Sequence, residues 1–168
     1  KLIMSSAFAS AITLFGISIL YGTTGTLDFG EMKFLISMSH LQLLGFVFVF
    51  VGLAFKLSLV PFHLWTADVY EGSPVSITAT LAVISKGTFI FVFMSTLFTV
   101  FQGFFAAWDK MLMLTIMITI TIGNFQAVRQ SNLKRLLAFS SISQIGYLLL
   151  CVISYSLLGA SSVVYFML

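Results

Sequence analysis

The stretch Leu41–Trp65 reads LQLLGFVFVFVGLAFKLSLVPFHLW and decides which class of protein this chain belongs to. A helix that crosses a bilayer needs about 20 mostly apolar residues, and this stretch is long and apolar enough. Pro61 lies inside it, where a proline removes a backbone hydrogen bond and breaks the helix. Broken helices occur at membrane depth where their backbone is buried in protein or lines a cavity. The stretch therefore predicts a discontinuous transmembrane helix at about residues 41–66.

The remainder of the chain has the same apolar character. Of its 168 residues, 60% are hydrophobic and 8% are charged, against about 25% charged in an average soluble domain. The mean hydropathy is +1.12. A soluble domain of this length cannot bury so much apolar surface. The composition thus excludes a soluble enzyme or a nucleic-acid-binding protein, and no nucleic-acid partner is expected.

Glycine and polar residues divide the chain into apolar stretches. These predict an all-α, polytopic transmembrane helical bundle that forms a single domain over residues 1–168. Helices are expected at about 2–21, 41–65, 75–101, 111–128 and 133–154, and another begins at 158–168. The basic residues between them divide four to two, which predicts that the first group faces the inner side: Lys1, Arg129, Lys134 and Arg135 against Lys33 and Lys110.

Two stripes of small and polar side chains recur at helical spacing. They indicate either close helix packing, which small residues permit, or surfaces that line water. Their members are Ser6, Ala9, Ser10, Thr13 and Gly16 in the first helix, and Ser140, Ser143, Gln144 and Tyr147 in the fifth.

Two lysines, Lys56 and Lys86, lie deep within predicted spans. An ionisable side chain near the bilayer centre costs about 2.5–3.5 kcal/mol on insertion scales, and such residues usually serve a function. Lys56 precedes the turn at Gly72 by about as many residues as Lys86 follows it, so the two amines should lie at nearly one level. Two amines at one level on neighbouring helices can pass a proton sideways.

Neither lysine has a carboxylate partner that the sequence can identify. The acidic residues all fall at predicted membrane edges: Asp28, Glu31, Asp68, Glu71 and Asp109. An unpaired ammonium is costly to bury. Either these amines are neutral part of the time, or a partner comes from outside the chain.

His63 is the third candidate for a proton pathway. It follows Lys56 by seven residues, which in a helix places both on one face, and an imidazole is suited to relay protons. A packed, hydrogen-bonded histidine is the alternative. No second His or Cys is placed for a metal ligand set, so no metal site is expected. The following loop, Asp68–Gly72, is either a proton-collecting rim or a capped turn.

Two longer runs carry a resemblance to a known family. Gly52–Pro74 reads GLAFKLSLVPFHLWTADVYEGSP, and Gly123–Ile142 reads GNFQAVRQSNLKRLLAFSSI. Together with Gly146-Tyr147 and the spacing to Lys86, they resemble the antiporter-like subunits of respiratory complex I. Within that family the chain is most similar to the subunit 2 group.

The resemblance implies the central part of a larger fold of about fourteen helices with two inverted repeats. In this family the helix that carries Lys56 is discontinuous, and the lysines matching Lys56 and Lys86 belong to a row of charged groups along the membrane midplane. The residue matching His63 lies on the same proposed water-lined route.

The chain departs from the family pattern in three ways. The glutamate of the fifth helix, which pairs with the lysine matching Lys56, has no counterpart, and neither does the lysine of the twelfth helix. Ala67 also stands where the family usually has proline. The expectation is that one or more other chains, or the rest of a longer chain, supply these helices and the missing glutamate.

The resemblance implies a membrane-arm subunit of proton-pumping NADH:ubiquinone oxidoreductase in the mitochondrial inner membrane. It would form part of an enzyme, with NAD, FMN, Fe–S clusters and ubiquinone bound by other subunits and no cofactor in this chain. Its partners would be other membrane-arm subunits and membrane lipid, with cardiolipin as one candidate. The alternatives are a cation/proton antiporter subunit without redox coupling and a membrane scaffold with inert lysines.

Overall fold

The computed structural model describes residues 2–37, 39–154 and 156–167. Lys1 and Leu168, which entered the predictions of topology and of the last helix, lie outside this part of the chain. The described residues are almost entirely helical, and five helices are long and apolar enough to cross a membrane. In chain order the α-helices are α1 Leu2–Thr24, α2 Phe29–Leu35, α3 His40–Leu57, α4 Leu64–Gly72, α5 Val75–Thr80, α6 Lys86–Thr99, α7 Phe105–Val128, α8 Leu133–Ile153 and α9 Leu157–Met167. The predicted all-α transmembrane fold is confirmed.

The predicted discontinuous helix is also confirmed, and it breaks between α3 and α4. Helix α3 ends at Leu57 because Ser58 adopts a left-handed backbone conformation, with φ 62°. Polar groups at the break find partners inside the protein. The hydroxyl of Thr119 on α7 accepts a hydrogen bond from the Val60 N–H at 3.1 Å, and Thr66 Oγ1 donates to Ser58 Oγ at 2.6 Å. These bonds pair polar groups of the break within the protein, as an irregular segment at membrane depth requires.

The third predicted span is continuous but has an irregular middle. Between α5 and α6 the residues Leu81–Ser85 form a π-helical turn, and Lys86 follows it directly. Such turns are rare overall, but where they occur they often lie at functional sites. The turn inserts extra chain into one helical revolution, which changes the direction in which Lys86 points relative to a regular helix.

The structure extends the predicted elements in two places. Helix α2 occupies what the sequence indicated as a loop, and Asp28 caps it by accepting hydrogen bonds from the N–H groups of Gly30 and Glu31. Helix α7 begins at Phe105, ahead of the predicted start at 111. Its first turns are held by Trp108, a fully buried side chain whose indole N–H donates to the Phe101 carbonyl at 3.0 Å.

Close helix packing accounts for much of the first small-residue stripe. Helix α1 lies along α3, and Gly16 is buried so close to α3 that an added Cβ would lie 2.8 Å from the Gly45 carbonyl oxygen. On the facing helix, an added Cβ at Gly52 would overlap the Thr13 side chain. Packing therefore fixes how closely α1 approaches the end of α3 that carries Lys56.

Helices α7 and α8 form the second closely packed pair. Gly123 of α7 lies against Ser143 of α8, and Gly146 of α8 lies against Ile120 of α7. Ser143 from the second predicted stripe is thus a packing residue. The main apolar core is built mainly from α3, α6, α7 and α8, and a smaller cluster joins α4 to α8.

Candidate functional site: two lysines on one cavity

Lys56 lies in the last turn of α3, just before the helix breaks. Its ammonium donates a hydrogen bond to Ser6 Oγ of α1 at 2.8 Å and lies 5.7 Å from the centre of the Phe89 ring. Unpaired carbonyl groups at a helix C-terminus favour a nearby cation by roughly 0.3–1 kcal/mol. The aromatic face adds a further attraction to a cation. The break in the helix thus creates the end that partly compensates the Lys56 charge.

Lys86 is the more buried of the two lysines, with only 3% of its surface exposed. Its ammonium donates to Ser141 Oγ of α8 at 2.7 Å and lies 5.8 Å from the centre of the Tyr70 ring of α4. Neither Lys86 nor Lys56 forms an ion pair within residues 2–37, 39–154 and 156–167. Both amines are therefore held by a neutral hydroxyl and a ring face.

The two lysines line one cavity of about 250 Å³, as their matching depths in the sequence suggested. Its wall is mostly apolar, and its polar groups include the hydroxyls of Ser6 and Ser85. A cavity of this size that contains polar groups has room for several waters. The arrangement can hold and pass protons between two amines.

Two further cavities continue from Lys86 along α8. Lys86, Ser141 and Gln144 line one of about 120 Å³. Ser141 and Gln144 also line another of about 280 Å³ that reaches Lys134 near the membrane edge. Polar groups thus extend from the Lys56 cavity past Lys86 towards the predicted inner side.

Sequence reasoning missed the partners of both lysines. Ser6 belongs to the predicted α1 stripe, whose pattern indicates either close packing or a water-lining surface, and Ser141 lies beside the predicted α8 stripe rather than in it. Tyr70 was seen only as part of a loop. A hydroxyl residue in a span carries no signal that distinguishes a lysine partner from a packing residue, because serine commonly serves both roles.

His63 lies apart from the lysine cavity. Its ring is 5% exposed, its Nε2 lies 3.1 Å from Gln126 Oε1 of α7, and its ring centre is 6.5 Å from that of Phe139 on α8. The seven-residue spacing from Lys56 does not place both on one face, because α3 ends at Leu57 and regular helix resumes only at Leu64. The helical-face argument for a direct Lys56–His63 relay was therefore wrong.

The acidic segment after His63 is tied to the start of α8. Arg135 forms ion pairs with Glu71 at 2.9 Å and with Asp68 at 3.5 Å. Asn132 donates to Glu71 at 2.9 Å, and the Lys134 ammonium donates to the Ser73 carbonyl at 2.9 Å. This geometry favours the capped turn over the proton-collecting rim, since the carboxylates already have partners.

Fold and site together define a multi-pass helical membrane protein in which a broken helix and a π-helical turn each present a lysine to a shared internal cavity. The whole chain, residues 1–168, matches the family described as NADH:quinone oxidoreductase/Mrp antiporter, transmembrane. The chain belongs to this family.

Two curated relatives show the level of similarity. The NADH-quinone oxidoreductase subunit N of Phocaeicola vulgatus is 51% identical over 166 residues, which cover 99% of this chain and 35% of the relative. That of Moorella thermoacetica is 40% identical over 169 residues, covering 99% and 36%. The chain thus spans about a third of the length of these relatives.

Solved structures share the fold. A chain in the Mrp complex of a Dietzia species matches with a TM-score of 0.89 and 26% identity, covering 99% of this chain and 31% of that one. A chain in respiratory complex I of Thermus thermophilus matches with a TM-score of 0.77 and 34% identity, covering 94% and 34%.

Proposed function

We propose that this chain is the central part of a subunit N, or subunit 2, of an NADH:quinone oxidoreductase, and that it translocates protons through Lys56 and Lys86 when quinone is reduced elsewhere in the complex. The observation that carries the proposal is the shared cavity. The partly buried Lys56 and the buried Lys86 both line it, and each amine donates to a serine hydroxyl. An ammonium at membrane depth is costly, and two of them on one cavity are difficult to explain by stability alone.

A proton moving along this cavity would change which lysine is charged. Lys56 can carry charge at the C-terminal end of α3, where the helix dipole favours a cation. Lys86 lacks such an end and is more deeply buried, so its charged state is the costlier one. A charge that arrives near Lys56 would therefore favour the neutral form of Lys86 and push a proton towards Ser141 and the inner side.

The partners follow from the sequence similarity and from the charges. We propose that other membrane-arm subunits cover the exposed apolar faces, and that a carboxylate outside residues 1–168 pairs with Lys56. Anionic lipid such as cardiolipin is a further candidate at Arg129, an exposed cation at the predicted inner edge. NAD, FMN, Fe–S clusters and ubiquinone would be bound by other subunits, with none in this chain.

The proposed location of the protein is less specific than the one that the sequence predicted. Both relatives named above are bacterial, and they lend no support to the predicted mitochondrial inner membrane. We propose only that the protein works in an energy-coupling membrane, a class that includes the mitochondrial inner membrane.

A second candidate function is cation/proton antiport without redox coupling. The structural likeness to a chain of the Mrp complex, with a TM-score of 0.89, favours it. The site geometry suits both functions, because each needs a buried group that alternates between protonated and deprotonated states.

Purification of the tagged chain from its native membrane distinguishes the two functions. If the proposal is right, NADH-oxidising subunits co-purify, and NADH drives proton translocation in reconstituted vesicles. Na⁺-dependent proton exchange in a preparation that lacks NADH oxidation would instead establish the second function.

A further inference from the structure

His63 lies apart from the lysine cavity, and the proposed proton route through Lys56 and Lys86 does not include it. The buried imidazole lies near a separate, wide cavity of about 490 Å³ that we call the polar cavity. Its polar lining consists of Asp68, Gln126, Arg129, Gln130 and Arg135, contributed by α4, by α7 and the residues after it, and by α8. His63 does not line this cavity, but two residues that contact its ring, Gln126 and Phe139, both do.

Gln126 is therefore the polar group that touches both the buried imidazole and the polar cavity. Its amide oxygen lies 3.1 Å from His63 Nε2. An amide oxygen only accepts hydrogen bonds, so Nε2 carries the proton in the neutral ring and Nδ1 is left without one. Because the Gln126 side chain contacts Nε2 and also lines the polar cavity, it is placed to separate the two.

We infer that Gln126 is a positioning residue for His63: its amide fixes the Nε2–H form of the imidazole and separates that nitrogen from the polar cavity. This inference rests on the proposed function for its role in proton transfer. A relay histidine must present a defined nitrogen to each side, and Gln126 sets which nitrogen faces the inner side. Movement of this one side chain would connect His63 to the polar cavity.

Chemical labelling of the assembled complex tests the separation without relying on activity. Diethyl pyrocarbonate acylates accessible, unprotonated imidazole nitrogens, and peptide mass spectrometry reports each site. The exposed His40 is the internal reference. In the unaltered protein His63 should react much more slowly than His40. Gln126→Ala should raise the His63 rate several-fold relative to His40.

Gln130→Ala is the matched control, because it widens the same cavity and removes only a hydrogen bond to the Gln126 backbone carbonyl, not the amide contact with His63. Its His63 rate should stay within about twofold of the unaltered protein, a change of less than ~0.5 kcal/mol. Equal His63 rates in the Gln126→Ala variant and the unaltered protein, or an equal increase with Gln130→Ala, would overturn the shielding role.

A second pair of variants separates the hydrogen bond from the shielding. Gln126→Leu keeps most of the volume but has no acceptor, whereas Gln126→Asn keeps a neutral amide acceptor. Loss of one hydrogen bond of about 0.5–1.5 kcal/mol should lower NADH-driven proton translocation by about 2- to 12-fold in the leucine variant. The asparagine variant should restore part of it.

Full translocation in Gln126→Leu at normal assembly would overturn the positioning role. His63→Ala shows whether the proposed function fails instead. If His63→Ala translocates protons normally, His63 is not on the route, and the labelling results still decide whether Gln126 shields it.

Discussion

At the scale of single residues, the site is defined by the partners that its two lysine ammonium groups contact. Each ammonium has one serine hydroxyl and one aromatic face, and the two lysines line a common cavity. A hydroxyl can both donate and accept, so it serves either protonation state of an amine. A carboxylate in the same place would fix the charged state.

Lys86→Met tests the role of the deeper amine. Methionine is similar in length and apolar, so it removes a costly buried charge and fills most of the space. We expect normal assembly but a fall of roughly tenfold or more in coupled proton translocation, since a positioned proton-transfer group contributes at least this much. The measurement is NADH-driven proton uptake in vesicles, normalised to assembled complex.

Lys110→Met is the matched control, because Lys110 is exposed at the other membrane edge. It should leave translocation unchanged. Normal translocation in Lys86→Met would remove Lys86 from the route and favour the scaffold hypothesis.

At the scale of secondary-structure elements, two irregularities place the lysines. The break after Leu57 gives Lys56 a helix end, and the π-helical turn Leu81–Ser85 precedes Lys86. The break is tolerated because protein surrounds it, with Ser58 and Leu59 fully buried, whereas the π-helical turn is partly exposed and remains part of a continuous helix. The close approach of α1 to α3 brings Ser6 within reach of Lys56.

Gly52→Ala tests this helix approach. An added Cβ would overlap the Thr13 side chain and lie 3.1 Å from the Ala9 carbonyl oxygen, so α1 must move away from α3. Overpacking of this kind costs about 1–3 kcal/mol. We expect a lower thermal stability of the purified complex and weaker proton translocation, because Ser6 moves with α1.

Gly22→Ala is the control on α1, since an added Cβ there meets no atom within 4 Å. It should leave thermal stability unchanged or slightly higher, because alanine favours helix over glycine. A Gly52→Ala variant as stable and as active as Gly22→Ala would show that α1 does not need its close contact with α3.

At the scale of the whole molecule, apolar surface and charge both point to neighbours. The helices that can cross a membrane are between 11% and 50% buried within the described structure. No carboxylate of the described residues pairs with Lys56 or Lys86. Lipid can cover apolar faces, but it cannot neutralise a buried ammonium.

We therefore predict that a carboxylate from outside residues 1–168 lies within about 4 Å of the Lys56 ammonium in the assembled complex. An experimental structure of that complex at side-chain resolution provides the measurement. Lys86 serves as the internal comparison and should keep Ser141 as its partner. A Lys56 ammonium surrounded only by Ser6 and apolar groups would contradict the prediction.

The sequence by itself determined the membrane class, the all-α fold and the broken helix, and it singled out both lysines. These follow from local properties: the length of apolar runs, the missing N–H of Pro61 and the cost of a charge in lipid. Only the tertiary structure decided the partners. Ser6 and Ser141 reach the lysines across 50 and 55 residues of chain, and no periodicity encodes which helix faces which. His63 was misplaced for the same reason: once the helix broke, its direction depended on packing against α7 and α8 and no longer on spacing from Lys56.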